Sequence, residues 1–320
     1  MSVYEIRRTA ALCISLTIGC SWAQTYPAKT VRMVTGQAGG SPDFIARVMA
    51  QGVAGSLGQP MIVDNRATGI IPAEIVWKAP PDGYTLLVTS NSLWLLTLLQ
   101  PAPFEPLNDF APVTLVARAP NVLVVHPSLP VKSVRDLIAL AKARPGALNY
   151  ASSATGTTSH LAAELFGAMA KVNIVRVPYK GAGAATSDLL TGQVHLAFFT
   201  ATSVMPHVRS GRLRALAVTS AQPFALFPDL PTVAASGLSG YESSATYAVL
   251  APAKTPEAII RRLNAEIVRC LKGNEARDKL AEAGVQAVGS SPRELLEDMN
   301  AEMQRMRTIL QRGQVSATDR

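Results

Sequence analysis

The sequence predicts an α/β fold of two domains, and three observations carry that prediction. The chain has 320 residues, enough for about two domains, and 48% of them are hydrophobic, enough for packed cores. From Val31 onward, short β-branched runs alternate with segments of helical period, the pattern of strands and helices layered around largely parallel sheets. Two β-rich runs, Ala111 to His126 and Arg214 to Thr219, are spaced to carry the chain out of one domain and back, which makes a hinge of crossing strands. The expected division is 24–117 with 220–320 for domain 1 and 118–219 for domain 2.

The N-terminus precedes the fold. Arg7 and Arg8 lead an apolar run from Thr9 to Gly19, followed by Ser21-Trp22-Ala23, the small-x-small pattern of a leader cleavage site. Residues 1–23 therefore read as a removed export signal. The run is too short for the roughly 20 apolar residues of a membrane span. Ile18-Gly19-Cys20 resembles the end of a lipobox, with Thr17 where leucine is expected, so lipid anchoring at Cys20 is the competing form of export.

Val31 to Thr35 reads as the first strand. After the loop Gly36 to Gly40, a helix opens with Ser41 as its expected N-cap, Pro42 at the first helical position and Asp43 in the first turn. Ile45, Val48, Met49, Gly52, Val53 and Leu57 then share one helical face. Strands follow at Met61 to Val63 and Thr85 to Thr89, with a helix from Ile71 to Ala79 between them. The run Ala111 to His126 is expected to break at Pro120. The second series consists of a helix Ser133–Arg144, strand Asn149–Ala151, helix Ser159–Ala170, strand Asn173–Pro178, helix Gly183–Thr191 and strand Val194–Phe199. Helices near Pro256–Leu271, Asn274–Ala283 and Pro292–Gln311 end the chain; Leu295, Met299, Met303 and Met306 in the last are assigned to core.

Composition narrows the function. The formal net charge is +8, and +7 without residues 1–23, but the basic residues are dispersed and not interleaved with aromatics, unlike a nucleic-acid surface. Cleavage after Ala23 leaves Cys270 alone, so no intrachain disulfide is expected. His126, His160, His195 and His207 lack metal-ligand spacing, so no metal and no cofactor is expected. There is no GxSxG elbow, phosphate loop or GxGxxG fingerprint, and Ser159 and His160 are adjacent on a helix, where their side chains diverge. The chain is not expected to be an enzyme.

In open α/β sheets, ligands bind beyond the carboxyl ends of the strands. Three loops there are rich in small residues: Gly36-Gln37-Ala38-Gly39-Gly40-Ser41-Pro42-Asp43, Ser152-Ser153-Ala154-Thr155-Gly156-Thr157-Thr158-Ser159, and Tyr179-Lys180-Gly181-Ala182-Gly183. Such loops let backbone N–H groups approach a ligand, and they lead into helix N-termini carrying about half a positive charge, a geometry suited to a carboxylate. The hydroxyls of Ser41, Thr155, Thr157, Thr158 and Ser159 add donors without formal charge. Glycine and serine in any one loop also make ordinary turns and caps.

Three segments, Lys78-Ala79-Pro80-Pro81-Asp82-Gly83-Tyr84-Thr85-Leu86-Leu87, Pro120-Asn121-Val122-Leu123-Val124-Val125 and Arg214-Ala215-Leu216-Ala217-Val218-Thr219, together resemble the tripartite tricarboxylate transporter receptors, the TctC or Bug proteins. The resemblance implies a type II periplasmic binding protein, a Venus flytrap with two mixed sheets flanked by helices. It implies that the first two loops grip a ligand carboxylate from opposite domains, through Gly39-Gly40-Ser41 with Asp43 and through Gly156-Thr157-Thr158-Ser159-His160. The expected ligand-binding set is Gln37, Ala38, Gly39, Gly40, Ser41, Asp43, Thr155, Gly156, Thr157, Thr158, Ser159, Gly181 and Phe199. Asp43 has an alternative use, capping its own helix.

The chain departs from the family at Gln37-Ala38, in the short apolar stretch Ala67-Thr68-Gly69-Ile70-Ile71-Pro72, and at Phe199-Thr200, where members often carry an aspartate and asparagine. Loss of that acid argues against an amino-acid ligand, whose ammonium needs an acceptor. With Trp94, Phe199 and Ile70 placed at the cleft, the ligand expected is a carboxylate with a hydrophobic body; packing of Trp94 and Phe199 in the cores is the other outcome. The implied partners are the membrane permease subunits of a tripartite tricarboxylate transporter, for a monomeric periplasmic receptor. Presentation of the ligand to a membrane histidine kinase, or a receptor with degraded binding, stays open.

Overall fold

The computed structural model describes residues 26–311, apart from Thr68, Ala154, Thr155, Lys180 and Gly181. The predicted leader with Cys20, and the site residues Thr155 and Gly181, lie outside the described residues.

The first part runs β1 (Val31–Thr35), α1 (Ser41–Leu57), β2 (Met61–Asn65), α2 (Ile71–Trp77), β3 (Thr85–Ser90), α3 (Ser92–Leu96) and β4 (Phe110–Val125). Then come α4 (Val134–Ala143), β5 (Leu148–Ser152), α5 (Thr158–Ala170), β6 (Ile174–Pro178), α6 (Ala182–Thr191), β7 (Leu196–Thr200), α7 (Ala201–Arg209) and β8 (Arg214–Val218). The chain closes with β9 (Ser244–Pro252), α8 (Glu257–Lys272), α9 (Asn274–Glu282), β10 (Gln286–Ala287) and α10 (Pro292–Gln311).

Two mixed sheets share β4. In the first, the order is β2-β1-β3-β9-β4-β10, with β1, β2 and β3 parallel and β9 antiparallel to both β3 and β4. In the second, β4 lies between β8 and β7, antiparallel to both, and β5 and β6 continue in parallel beyond β7. At about 3.3 Å per residue, a 16-residue strand reaches about 50 Å, long enough to belong to both sheets. Its changeover is abrupt: Pro120 pairs with Ser244 of the first sheet and Asn121 with Thr200 of the second. Proline, which has no N–H for a ladder, fits where one pairing ends, so Pro120 marks the crossing without ending the strand.

The return comes later along the chain than Arg214–Thr219. β8 stays paired to β4 in the second sheet, and Val233, Leu238 and Tyr241 of the following segment pack in that sheet's core, where the Tyr241 hydroxyl donates to the Ala162 carbonyl at 2.8 Å. The chain enters the first sheet only at Ser244, beside Pro120, as β9. This strand, buried from Ala245 to Pro252, is an element that sequence patterning did not isolate, as are the short α3, α7 and β10.

Both faces of each sheet are covered. On the first, Met49, Leu263 and Ile267 line one face and Trp94, Leu115 and Met299 the other. On the second, Leu137, Phe166 and Tyr241 oppose Ala185, Leu189 and Val204. Leu295, Met299, Met303 and Met306 are all core, as their spacing predicts.

Candidate ligand-binding site

β1 and β3 end beside the crossing from one sheet, and β5 and β7 end beside it from the other. Thr35 is tied to β3 through its hydroxyl, which donates to the Val88 carbonyl at 2.9 Å; Ser90 of β3 pairs with Tyr247, which pairs with Ala117, three residues before Pro120. Thr200 at the end of β7 pairs with Asn121, and Ala151 of β5 pairs with Ala197. The loops after β1 and β5 therefore leave opposite sheets toward one cleft.

The first loop is framed by charge. Gly39, at φ +82°, has the left-handed backbone that glycine accepts without strain. Its N–H donates to Asp43 Oδ2 at 2.8 Å, and Asp43 Oδ1 receives Asn65 Nδ2 and Arg47 Nε, each at 2.9 Å. Asn65 Nδ2 also reaches the Gly36 carbonyl at 2.9 Å, and Arg47 Nη2 donates to Asn65 Oδ1 at 2.9 Å. Burial pushes the Asp43 carboxyl up, but the Gly39 amide, Asn65 and Arg47 together hold it below its ordinary value. Asp43 is 4% exposed and fully engaged, so it serves its own loop and helix. The cap of α1 is Gly40, one residue before the expected Ser41, and it makes no side-chain cap bond. Ser41 instead lies beside the buried Tyr247 hydroxyl. Gln37, Ala38 and Gly39 face solvent.

The second loop is framed by neutral groups and one cation. Ser153, Thr157 and Ser159 form a hydroxyl triangle with sides of 3.0, 2.9 and 3.1 Å. The Gly156 N–H donates to His160 Nδ1 at 3.2 Å, so His160 and the Ser159 hydroxyl are turned to different partners. Gly156 has φ +79°, and a Cβ there would lie 2.3 Å from Leu96 Cδ1, so α3 of the first sheet sits directly on this loop. Thr157 caps α5 in extended conformation without a side-chain cap bond, and the first turn of α5 carries no acid. The Thr158 carbonyl accepts from Asn121 Nδ2 at 3.2 Å, which ties the loop to the crossing strand.

Arg176 of β6 lies beneath this loop, its Nε donating to Ser152 Oγ at 2.8 Å and its Nη2 to the Ser153 carbonyl at 3.3 Å. Sequence patterning did not single it out, because one arginine in a short strand carries no signal until β6 is paired with β5. Asn65, Ser90 and Tyr247 were missed for the same reason: pairing, not motif, brings them to the cleft. In the third loop, the Tyr179 hydroxyl donates to Asp188 Oδ2 at 2.7 Å, and burial followed by that bond pushes its pKa up to about 12.

Two expected wall residues belong elsewhere. Trp94 is fully buried in the core of the first sheet, and Phe199 is 3% exposed in the core between the second sheet and α6 and α7. Alternation explains Phe199: it follows Phe198 on a strand buried on both faces. The hydroxyl of the next residue, Thr200, pairs with Ser203 Oγ at 3.2 Å.

Residues 45–314 match the family described as the tripartite tricarboxylate transporter family receptor. The chain belongs to this family. It is 40% identical over 276 residues to Protein BugT of Bordetella pertussis, covering 84% of this chain and 85% of the relative. It is 35% identical over 312 residues to a UPF0065 protein of Pseudomonas sp. strain P51, covering 95% and 93%. Among solved structures, Rpa4515 of R. palustris with adipate is 36% identical, with a TM-score of 0.81, covering 91% of this chain and 99% of that one. MatC of Rhodopseudomonas palustris with bound malate is 28% identical, with a TM-score of 0.79 and coverage of 89% and 99%. The fold is thus that of the TctC and Bug periplasmic binding proteins, a Venus flytrap, and the family is one of solute-binding receptors. Among the described residues, no helix is long and apolar enough to cross a membrane, and no group of three or more His, Cys, Asp or Glu is placed to hold a metal.

Proposed function

We propose that this protein is an extracytoplasmic receptor, exported by cleavage of residues 1–23, that captures an organic carboxylate between its two sheets. As a monomer it delivers the ligand to the permease subunits of a tripartite tricarboxylate-type transporter. One observation carries the proposal. α1 and α5, on opposite sheets, both begin at the cleft without a side-chain cap, so the positive end of each helix is turned toward the space where an anion would sit. Each such terminus favours a negative group by about 0.3–1 kcal/mol at the surface and more when enclosed.

Carboxylates bound to related receptors, adipate in one and malate in another, support the ligand class. Phe199-Thr200 in place of the family's aspartate and asparagine removes the acceptor an ammonium would need, which favours carboxylates lacking an amino group. Ligand engages both loops only when the sheets rotate together about Pro120 and Ser244, so its differential affinity shifts the protein toward the closed form that a permease would recognise. Specificity for a hydrophobic body does not come from Trp94 or Phe199, which are core.

The test is a thermal-shift screen of the purified protein against aliphatic and aromatic mono-, di- and tricarboxylates and amino acids. At 100 times its dissociation constant a ligand stabilises by about 2.7 kcal/mol, a visible shift. A selective carboxylate is the expected result. A response confined to amino acids, or none to any carboxylate from protein unfolded and refolded to strip retained ligand, would overturn the proposal.

A further inference from the structure

The second sheet has one end at the cleft and one end far from it. β5 and β7 start at the far end, with Leu148 and Leu196. Val125, the last residue of β4, pairs there with Leu196 and with Arg214, the first residue of β8, and Leu148 pairs with Ile174, the first of β6. α5 and α7 start at the cleft, after β5 and β7, so their C-terminal ends at Ala170 and Arg209 also lie at the far end. α4 carries the chain across it. Just before α4, the Val131 carbonyl accepts from Arg214 Nη1 at 2.7 Å, and just after α4 the Gly146 N–H donates to the Asn173 carbonyl at 3.0 Å, beside β6. Ten residues at 1.5 Å reach about 15 Å, which matches the three strand spacings of about 4.8 Å between β4 and β6.

This arrangement gathers cations that are dispersed along the chain. Lys132, Lys142, Arg144, Lys171, Arg209 and Arg212 are all exposed, in the turns and helix ends that form the far end. Among the described residues, the pairs made by this sheet and its helices, His160 with Glu164 and Glu242 with Arg305, involve none of them. Acids are sparse there. Asp136, which accepts from the Lys132 N–H at 3.0 Å, shares this end, but Glu164 is bonded to the Tyr150 hydroxyl and Asp188 to the Tyr179 hydroxyl. Asp229 precedes Pro231, whose carbonyl accepts from Val218 at the cleft end of β8. Helix ends do not by themselves leave cations unpaired: α8 and α9 also finish in basic residues, and there Arg269 is paired with Glu266 and Lys279 with Glu275. Of the exposed large hydrophobic side chains among the described residues, only Val175 of the edge strand β6 belongs to this sheet. A protein interface is built round an apolar core, whereas a charged lipid surface attracts cations spread over an area and needs no fixed partner for each.

We propose that the far end of the second sheet is a docking surface for a bilayer containing anionic phospholipid, held by Lys132, Lys142, Arg144, Lys171, Arg209 and Arg212 while the cleft stays in water. Adsorption of this kind inserts no helix and weakens as salt screens the charges. The proposal does not depend on what the cleft binds.

The test is co-sedimentation of purified residues 24–320, which retain the whole described fold, with vesicles of equal parts phosphatidylglycerol and phosphatidylcholine at low salt. Sedimentation with these vesicles is expected, with release as salt is raised and none with phosphatidylcholine alone. The exposed pair Lys142→Gln with Arg144→Gln should weaken adsorption about fivefold for each charge, about 25-fold together, and Arg209→Gln with Arg212→Gln should do the same. Lys254→Gln with Lys272→Gln lowers the net charge equally from exposed positions on the first sheet's side and should leave adsorption within about twofold of the parent. No sedimentation with the anionic vesicles, equal sedimentation with phosphatidylcholine, or a loss as large in the Lys254 and Lys272 pair as in the far-end pairs would overturn the proposal. Retention on immobilised polyglutamate with none on vesicles would overturn it too, in favour of an acidic protein partner.

Discussion

The two loops that face each other across the cleft are held in place by different chemistry. In the first, a buried carboxylate, an amide and a guanidinium neutralise one another, and the Gly39 and Gly40 N–H groups are already spent on Asp43 and on the Gln37 carbonyl at 3.3 Å. In the second, the framing groups are hydroxyls that serve as donors or acceptors, no acid stands in the first turn of α5, and Arg176 adds a positive charge below. A loop whose charges cancel is a rigid frame; a loop of rotatable hydroxyls at a helix N-terminus without an acid, with an arginine beneath it, is an anchor for an anion. The comparison assigns the ligand's carboxylate chiefly to the second loop and the shape of the cleft to the first.

Gly156→Val should have the largest effect on binding. The branched side chain must adopt a positive φ and enter space held by Leu96, so the loop is displaced and affinity should fall about a hundredfold, about 2.8 kcal/mol, measured by calorimetry with the screened carboxylate. Leu96→Ala in the same protein makes room for part of the side chain and should recover some of the lost melting temperature.

Asp43→Asn should instead act on stability. Removing a buried acceptor of three donors costs about 1–3 kcal/mol, read as a lower chemical-denaturation midpoint, while affinity changes little. The pH dependence has a definite sign. Because the folded Asp43 sits below the unfolded value of 3.8, its contribution is fully present above that value and is lost as pH falls through the lowered one. Asp43→Asn should therefore flatten the acid limb of the stability profile, and an unchanged limb would remove Asp43 from the frame.

The smallest effect is expected for Ser153→Ala. It removes two sides of the hydroxyl triangle but leaves the helix amides, so about 0.5–1.5 kcal/mol of binding, roughly three- to tenfold, should be lost with little change in melting.

Much of this fold was legible in the sequence, because α1, α5 and α8 carry period and β1 and β7 carry β-branched or aromatic runs. The crossing at Pro120 was legible too, since a β-rich run as long as Ala111 to His126 exceeds what one sheet needs and carries a proline within it. β9 was not, because a strand buried on both faces shows no alternation to separate it from its surroundings. The helix cap falls on Gly40, whose extended backbone starts the helix one residue early, and leaves Ser41 inside the first turn. In the site, loop composition pointed to the right backbone but not to the side chains behind it. Arg176, Asn65 and Tyr247 enter through strand pairing, and Phe199 leaves through the pleat.

The most direct test of the division between frame and anchor is a calorimetric titration of the screened carboxylate into Arg176→Gln beside Asp43→Asn. If the second loop anchors the charge, Arg176→Gln loses about tenfold in affinity, about 1.4 kcal/mol, with a shallower salt dependence, while Asp43→Asn binds within a few-fold of the parent at a temperature where both are folded. Full affinity in Arg176→Gln, with binding lost in a folded Asp43→Asn, would contradict it and move the anchor to the first loop.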